Sequence, residues 1–147
     1  MWKLAALTVA RDSGRQRLHG GKRLPVRIAL SKQAHSSIGN SLGILDIEPF
    51  IVETSGFAMT KADLELALSK VDANDAPIVG VVATAGTTNA GIIDDLAGIS
   101  EVARAHEMWF HVDAAYGGAG LLAPSVRDKF AGIENADSIT MDPHKWW

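Results

Sequence analysis

Cysteine is absent from the 147 residues. A disulfide framework, a thiolate metal centre and a cysteine nucleophile are excluded together. The absence is compatible with a reducing compartment. Aromatic residues are scarce, at 6% of the chain, too few to suggest a base-stacking surface for nucleic acid. Neither sign of charge dominates. The 14 basic and 17 acidic residues leave a net charge of −3, which exerts no general pull toward nucleic acid or an anionic membrane. No apolar run approaches the length of a membrane span. The opening stretch Met1–Ala10 has one early positive charge, Lys3, and no polar cleavage-type boundary. It reads as an amphipathic or buried helix rather than a secretory leader. What the chain has in quantity is apolar surface, 47% of its residues, ample for a buried core. Its length allows one domain, or a piece of one.

The pattern along the chain is that of an α/β layer structure. A helix is predicted from Met1 to about Arg11. A loop is predicted from Asp12 to Pro25, because Gly14, Gly20, Gly21 and Pro25 interrupt it. Six basic residues (Arg11, Arg15, Arg17, Lys22, Arg23, Arg27) face one acid, Asp12, between positions 11 and 27. They read as a solvated connection or as a contact for an acidic partner, and no aromatic interleaves them as a nucleic-acid surface would require. Val26–Leu30 predicts a strand, Ala34–Leu45 a helix with Ile38, Leu42 and Leu45 on one face, and Pro49–Val52 another strand. Thr60-Lys61-Ala62-Asp63 opens a helix with a capping-box pattern, followed by Leu64, Ala67, Leu68 and Val71 at helical spacing. Ile78–Ala83 is apolar throughout, as a strand buried on both faces requires. A helix over Asp95–Ala105 and a strand over Trp109–Val112 complete a βαβ unit. Ser138–Met141 predicts one more short strand.

In open α/β sheets ligands sit beyond the carboxyl ends of the strands. Four polar groups fall at such ends: Ser31–Ser37 with His35, Thr87-Thr88, Asp113, and Asp142-Pro143-His144-Lys145. The glycine patterns of phosphate-binding and dinucleotide-binding loops are missing, as is a GxSxG nucleophile elbow. His111 and Asp113 are two apart and share one face of a strand, which leaves metal ligation open, without a third ligand at a convincing spacing. Lys145 admits two readings. It is a surface lysine near the terminus, or an amine activated in a partly desolvated pocket for Schiff-base chemistry.

Two long segments narrow these alternatives. His111-Val112-Asp113-Ala114-Ala115-Tyr116-Gly117-Gly118, and Ala136-Asp137-Ser138-Ile139-Thr140-Met141-Asp142-Pro143-His144-Lys145-Trp146 after it, resemble the group II pyridoxal-phosphate-dependent amino-acid decarboxylases. That family includes the aromatic-amino-acid, glutamate, histidine and diaminobutyrate decarboxylases. Gln33-Ala34-His35-Ser36-Ser37 is similar to its cofactor-stacking histidine segment, and Val82-Ala83-Thr84-Ala85-Gly86-Thr87-Thr88 to its strand-and-threonine segment. The resemblance spans essentially the whole chain. It implies an α/β fold, a fragment of the large domain of the fold-type I (aspartate-aminotransferase-like) architecture, with a mostly parallel sheet flanked by helices. Residues 1–147 are then expected to be a partial cofactor-binding domain, from which the family's N-terminal phosphate-binding segment and small C-terminal domain are absent.

The resemblance also implies roles. Lys145 would hold the aldehyde of pyridoxal 5′-phosphate as a Schiff base. Asp113 would pair with the pyridine nitrogen and keep it protonated, making the ring an electron sink. His35 would stack on one ring face and Ala115 would pack on the other. Thr88 would hydrogen-bond the cofactor, and His144 would position the lysine and the phosphate. Asp142 stands near the phosphate where relatives often have Asn. The implied activity is decarboxylation of an L-amino acid to an amine and carbon dioxide, in a cytoplasmic enzyme that is a homodimer in its full-length form, with no nucleic-acid or membrane partner. Carbon–carbon lysis or transamination on the same scaffold, or an inactive truncated remnant, are the competing expectations.

Overall fold

The apolar run at 78–83 needs cover on both faces, and it has it. In the computed structural model, which describes residues 2–146, it is β3 (Ile78–Thr84), the central strand of the sheet. Its companions are β1 (Arg27–Ser31), β2 (Glu48–Val52), β4 (Trp109–Asp113) and β5 (Ser138–Thr140). Among the described residues the five strands run in the order β2-β1-β3-β4-β5, and every pairing is parallel. The expected α/β class with a parallel sheet is the observed one.

Helices cover both faces. On one side α1 (Trp2–His19) and α2 (Ser36–Ile44) close a core that includes Leu7, Ile28, Ile38, Leu42, Val79 and Val82. On the other, α3 (Lys61–Leu68) and α4 (Leu96–Ala105) cover Leu64, Val81, Ala83, Ile99 and Phe110. Val79 and Val81 belong to opposite faces although they are two apart. The cause is a register shift: Arg27 pairs with Ile78, but Ile28 pairs with Gly80. The extra residue, Val79, inverts the alternation once.

Val79 points at Gly14, and this corrects the predicted loop. Helix α1 does not stop at Arg11 but runs on to His19; Met1 lies outside the described residues. Gly14 is a contact, not a breaker. It is buried, and a Cβ there would collide with the Val79 side chain. The helix ends instead at Gly20 and Gly21, with φ of 58° and 81°, whose N–H groups bond back to the Gln16 and Arg15 carbonyls. Gly14→Ala is therefore expected to destabilise the fold by about 1–2 kcal/mol, overpacking outweighing the better helix propensity. Gly43→Ala, with nothing within 4 Å of its Cβ, is expected to add up to about 1 kcal/mol. Denaturant midpoints of the two variants compare them directly.

The basic run is solvated only in part: Arg17, Lys22 and Arg23 are exposed, but the other three hold the fold together. Arg15 is buried and donates to the Leu24 carbonyl at 2.9 Å. Arg27 is buried, donates to the Ala76 carbonyl at 2.6 Å, pairs with Asp75 and stacks over Phe50. Arg11 ties α1 to the Leu45 carbonyl at 3.0 Å. The capping box forms as its spacing predicts, with Thr60 and Asp63 bonded reciprocally. Burial is the largest influence on the Asp63 carboxyl and pushes its pKa up, but the hydrogen bonds from Thr60 and Ser55 outweigh it and hold the value below the usual range. The helix it opens ends at Leu68, before Val71.

Candidate active site

From β1 the chain steps outward to β2, and β3 lies on β1's other side. The connections leaving β1 and β3 therefore diverge and open a crevice beyond their carboxyl ends. His35 follows β1 and caps α2. Thr87 and Thr88 occupy the turn after β3, Asp113 is the last residue of β4, and Lys145 lies in α5 (Pro143–Trp146) after β5. Lys3, His35, Thr88, Asp113, Ala115 and Lys145 line one crevice. It adjoins a cavity of about 620 Å³ that Asp142 and His144 also line. All seven residues expected from the sequence thus meet at one end of the sheet.

Asp113 is 5% exposed. Its Oδ1 accepts the Ala115 N–H at 3.2 Å, and its Oδ2 accepts from Lys3 Nζ at 2.6 Å. His35 Nδ1 accepts the Ser37 N–H at 3.1 Å and lies 2.8 Å from Ser37 Oγ. An accepting Nδ1 places the ring hydrogen on Nε2. Ala115 is buried and brings no bulk to the crevice wall. Thr87 spends its hydroxyl on the turn, accepting the Ile92 N–H at 3.1 Å, and leaves Thr88 as the exposed hydroxyl of the pair. Asp142 Oδ1 accepts the His144 N–H at 3.0 Å, so it caps the first turn of α5, and Lys145 is exposed beyond it. The turn after β3 is held against the β4 exit by two glycines. A Cβ on Gly86 would come within 2.6 Å of Gly117 Cα.

His111 does not extend this cluster. Its ring lies between Ser138 Oγ (2.8 Å from Nδ1) and Thr140 Oγ1 (3.2 Å from Nε2), and burial pushes its pKa down to about 4, with Asp113 opposing. The imidazole is neutral at pH 7, with both nitrogens engaged. Among the described residues no group of three His, Asp or Glu side chains is arranged to hold a metal ion.

Two residues escaped the sequence. Lys3 is the single charge in the first nine residues of α1, the one hint that it has a buried partner. Asp94 is 3% exposed and accepts the N–H groups of Met59 and Thr84, both at 2.7 Å. Desolvation raises its pKa to about 6 against those bonds. It fixes the end of β3 from which the threonine turn departs.

The fold and the site define an α/β protein with a ligand crevice at the strand ends, furnished with a lysine, a buried carboxylate and a histidine. Residues 20–147 match the pyridoxal-dependent decarboxylase conserved domain. The chain belongs to the pyridoxal-dependent decarboxylase family. It is 34% identical to tyrosine decarboxylase 4 of Petroselinum crispum over 151 residues, covering 98% of this chain and 30% of that protein. It is 43% identical to L-2,4-diaminobutyrate decarboxylase of Rhizobium meliloti over 122 residues, covering 80% of this chain and 24% of that protein. The structure of Oryza sativa TDC with PLP superposes with a TM-score of 0.80 at 28% identity, over 98% of this chain and 32% of that one. The chain thus spans about a third or less of the proteins it matches. Among the described residues no helix is long and apolar enough to cross a membrane.

Proposed function

We propose that residues 1–147 form part of the pyridoxal-phosphate-binding large domain of an amino-acid decarboxylase that acts on a small-molecule amino-acid substrate as a cytoplasmic homodimer. One observation carries this: a buried carboxylate, Asp113, already holds a cation in the crevice that Lys145 and His35 share. The donor set fits the cofactor, since a buried carboxylate suits a protonated ring nitrogen and Lys3 Nζ stands in for that cation.

The cofactor, when bound, supplies a ring that takes up the electrons of the breaking carbon–carboxylate bond. Asp113 would hold the ring nitrogen in its protonated form. Lys145 would supply the amine that holds the aldehyde. His35 and Ala115 would flank the ring with an imidazole and a methyl group, and Thr88 would offer a hydroxyl. His144 and the Asp142 cap fix the turn that carries Lys145. The protein's task would be positioning: these residues would fix the cofactor and orient the substrate carboxylate. These residues serve any amino-acid substrate alike, in keeping with relatives named for tyrosine and for diaminobutyrate.

Incubation with pyridoxal phosphate, borohydride reduction and peptide mass spectrometry test this. A stoichiometric adduct on Lys145, lost in Lys145→Ala, is the expected result. Labelling scattered over several lysines would mean that no site is preformed. Product analysis with amino-acid substrates then separates carbon dioxide release from aldehyde or keto-acid formation.

A further inference from the structure

Lys3 lies ahead of residues 20–147, the span of the conserved-domain match, and it sits where the cofactor's ring nitrogen would bind. Its side chain is 16% exposed. From the first turn of α1 it reaches Asp113 Oδ2 at 2.6 Å, 110 residues along the chain, and Ser37 Oγ at 3.0 Å. Ser37 Oγ is in turn 2.8 Å from His35 Nδ1. One ammonium therefore links the carboxylate that would meet the ring nitrogen to the histidine that would cover one ring face. The crevice they line is narrow, with about 20 Å³ open to a water-sized molecule, room for roughly one water. Lys3 also borders the adjoining cavity of about 620 Å³, whose wall includes Asp142, so it has space to withdraw into.

We propose that Lys3 is a built-in competitor for the cofactor: its ammonium holds Asp113 and closes the ring site, and it must swing aside for pyridoxal phosphate to enter. The inference rests on the cofactor site proposed above. The exchange is cation for cation. A protonated ring nitrogen replaces the ammonium on Asp113, so the buried carboxylate keeps a counter-charge in both states. The closed state lowers apparent affinity by the fraction of molecules that are open.

The test uses pyridoxamine 5′-phosphate, which has the ring and phosphate but no aldehyde to react with lysines. Lys3→Met removes the ammonium and leaves Asp113 without its cation. The variant is expected to bind the probe about tenfold more tightly than the parent chain in an absorbance titration. In the parent chain itself, pulse acetylation of Lys3 followed by peptide mass spectrometry is expected to accelerate several-fold when the probe saturates the site. Equal affinities, or an acetylation rate that saturation leaves unchanged, would overturn the competitor role while leaving the cofactor site standing. Weaker binding by Lys3→Met would also overturn it, and would assign Lys3 to holding the phosphate. Binding by neither chain would remove the cofactor site and the competitor role with it.

Discussion

Asp113→Asn is expected to weaken pyridoxal phosphate binding by about ten- to a hundredfold, the loss of one buried charge-assisted hydrogen bond worth about 1.5–3 kcal/mol. The substitution nearly preserves shape. The Asn carbonyl can keep the Ala115 N–H that Oδ1 accepts at 3.2 Å, which turns the amide NH₂ toward the place where Lys3 Nζ now donates. A protonated ring nitrogen arriving there meets a donor instead of a carboxylate. Lys3 loses its partner as well, but its side chain is partly exposed and can turn to water, so the melting temperature is expected to change little. A large loss of affinity with near-constant stability is the signature of a ligand-directed carboxylate. An affinity equal to the parent's would sink the assignment of Asp113 to the ring nitrogen.

The second large effect falls on stability. Asp94→Ala is expected to cost about 2–4 kcal/mol, a large share of a typical domain's 5–15 kcal/mol. It leaves two buried N–H groups, of Met59 and Thr84, without an acceptor, at about 1–3 kcal/mol each, partly offset by removing a buried charge. The pH dependence has a definite sign. Desolvation raises the folded-state pKa from 3.8 to about 6, so the fold disfavours the ionised form. The contribution of Asp94 to stability is greatest below about pH 4, falls between about pH 4 and 6, and is flat above. The fall is about 3 kcal/mol, the equivalent of some two pKa units. Asp94→Asn has no proton to lose. The difference in unfolding free energy between parent and Asp94→Asn, followed from pH 4 to 7, is expected to shrink or reverse as pH rises. A constant difference would show that Asp94 titrates alike in both states.

What was legible in the sequence is what depends on near neighbours. The both-sides-apolar run at 78–83, the capping box at Thr60 and the strand-end positions of His35, Thr88, Asp113 and Lys145 all follow from local spacing, and the motifs around them carry the family. What was not legible depends on a partner far along the chain. Gly14 reads as a breaker until Val79 is packed on it, and Val79 reaches α1 only because of the shift in β3 pairing. Lys3 and Asp113 meet only once α1 lies across the strand ends. Asp94 looks like a polar residue before a helix, and its backbone donors belong to other elements. The stretch 117–136 escaped for a different reason. It folds as short 3-10 turns at Gly118–Leu122, Arg127–Phe130 and Ile133–Asn135, which have neither the helix nor the strand period.

The all-parallel sheet has a kinetic meaning as well. No two paired strands among the described residues are joined by a hairpin. The shortest link between partners runs from Ser31 to Glu48, and β1 cannot meet β3 until the chain has returned from Ser31 to Ile78. Every ladder must be closed over a long loop before its hydrogen bonds compensate the lost chain entropy. Such a chain assembles slowly, in milliseconds to seconds rather than microseconds, with bare strand edges exposed meanwhile. The crevice at the strand ends, which needs four of the five strands in register, is among the last features to exist, so a ligand that recognises it acts on a chain that has already finished folding.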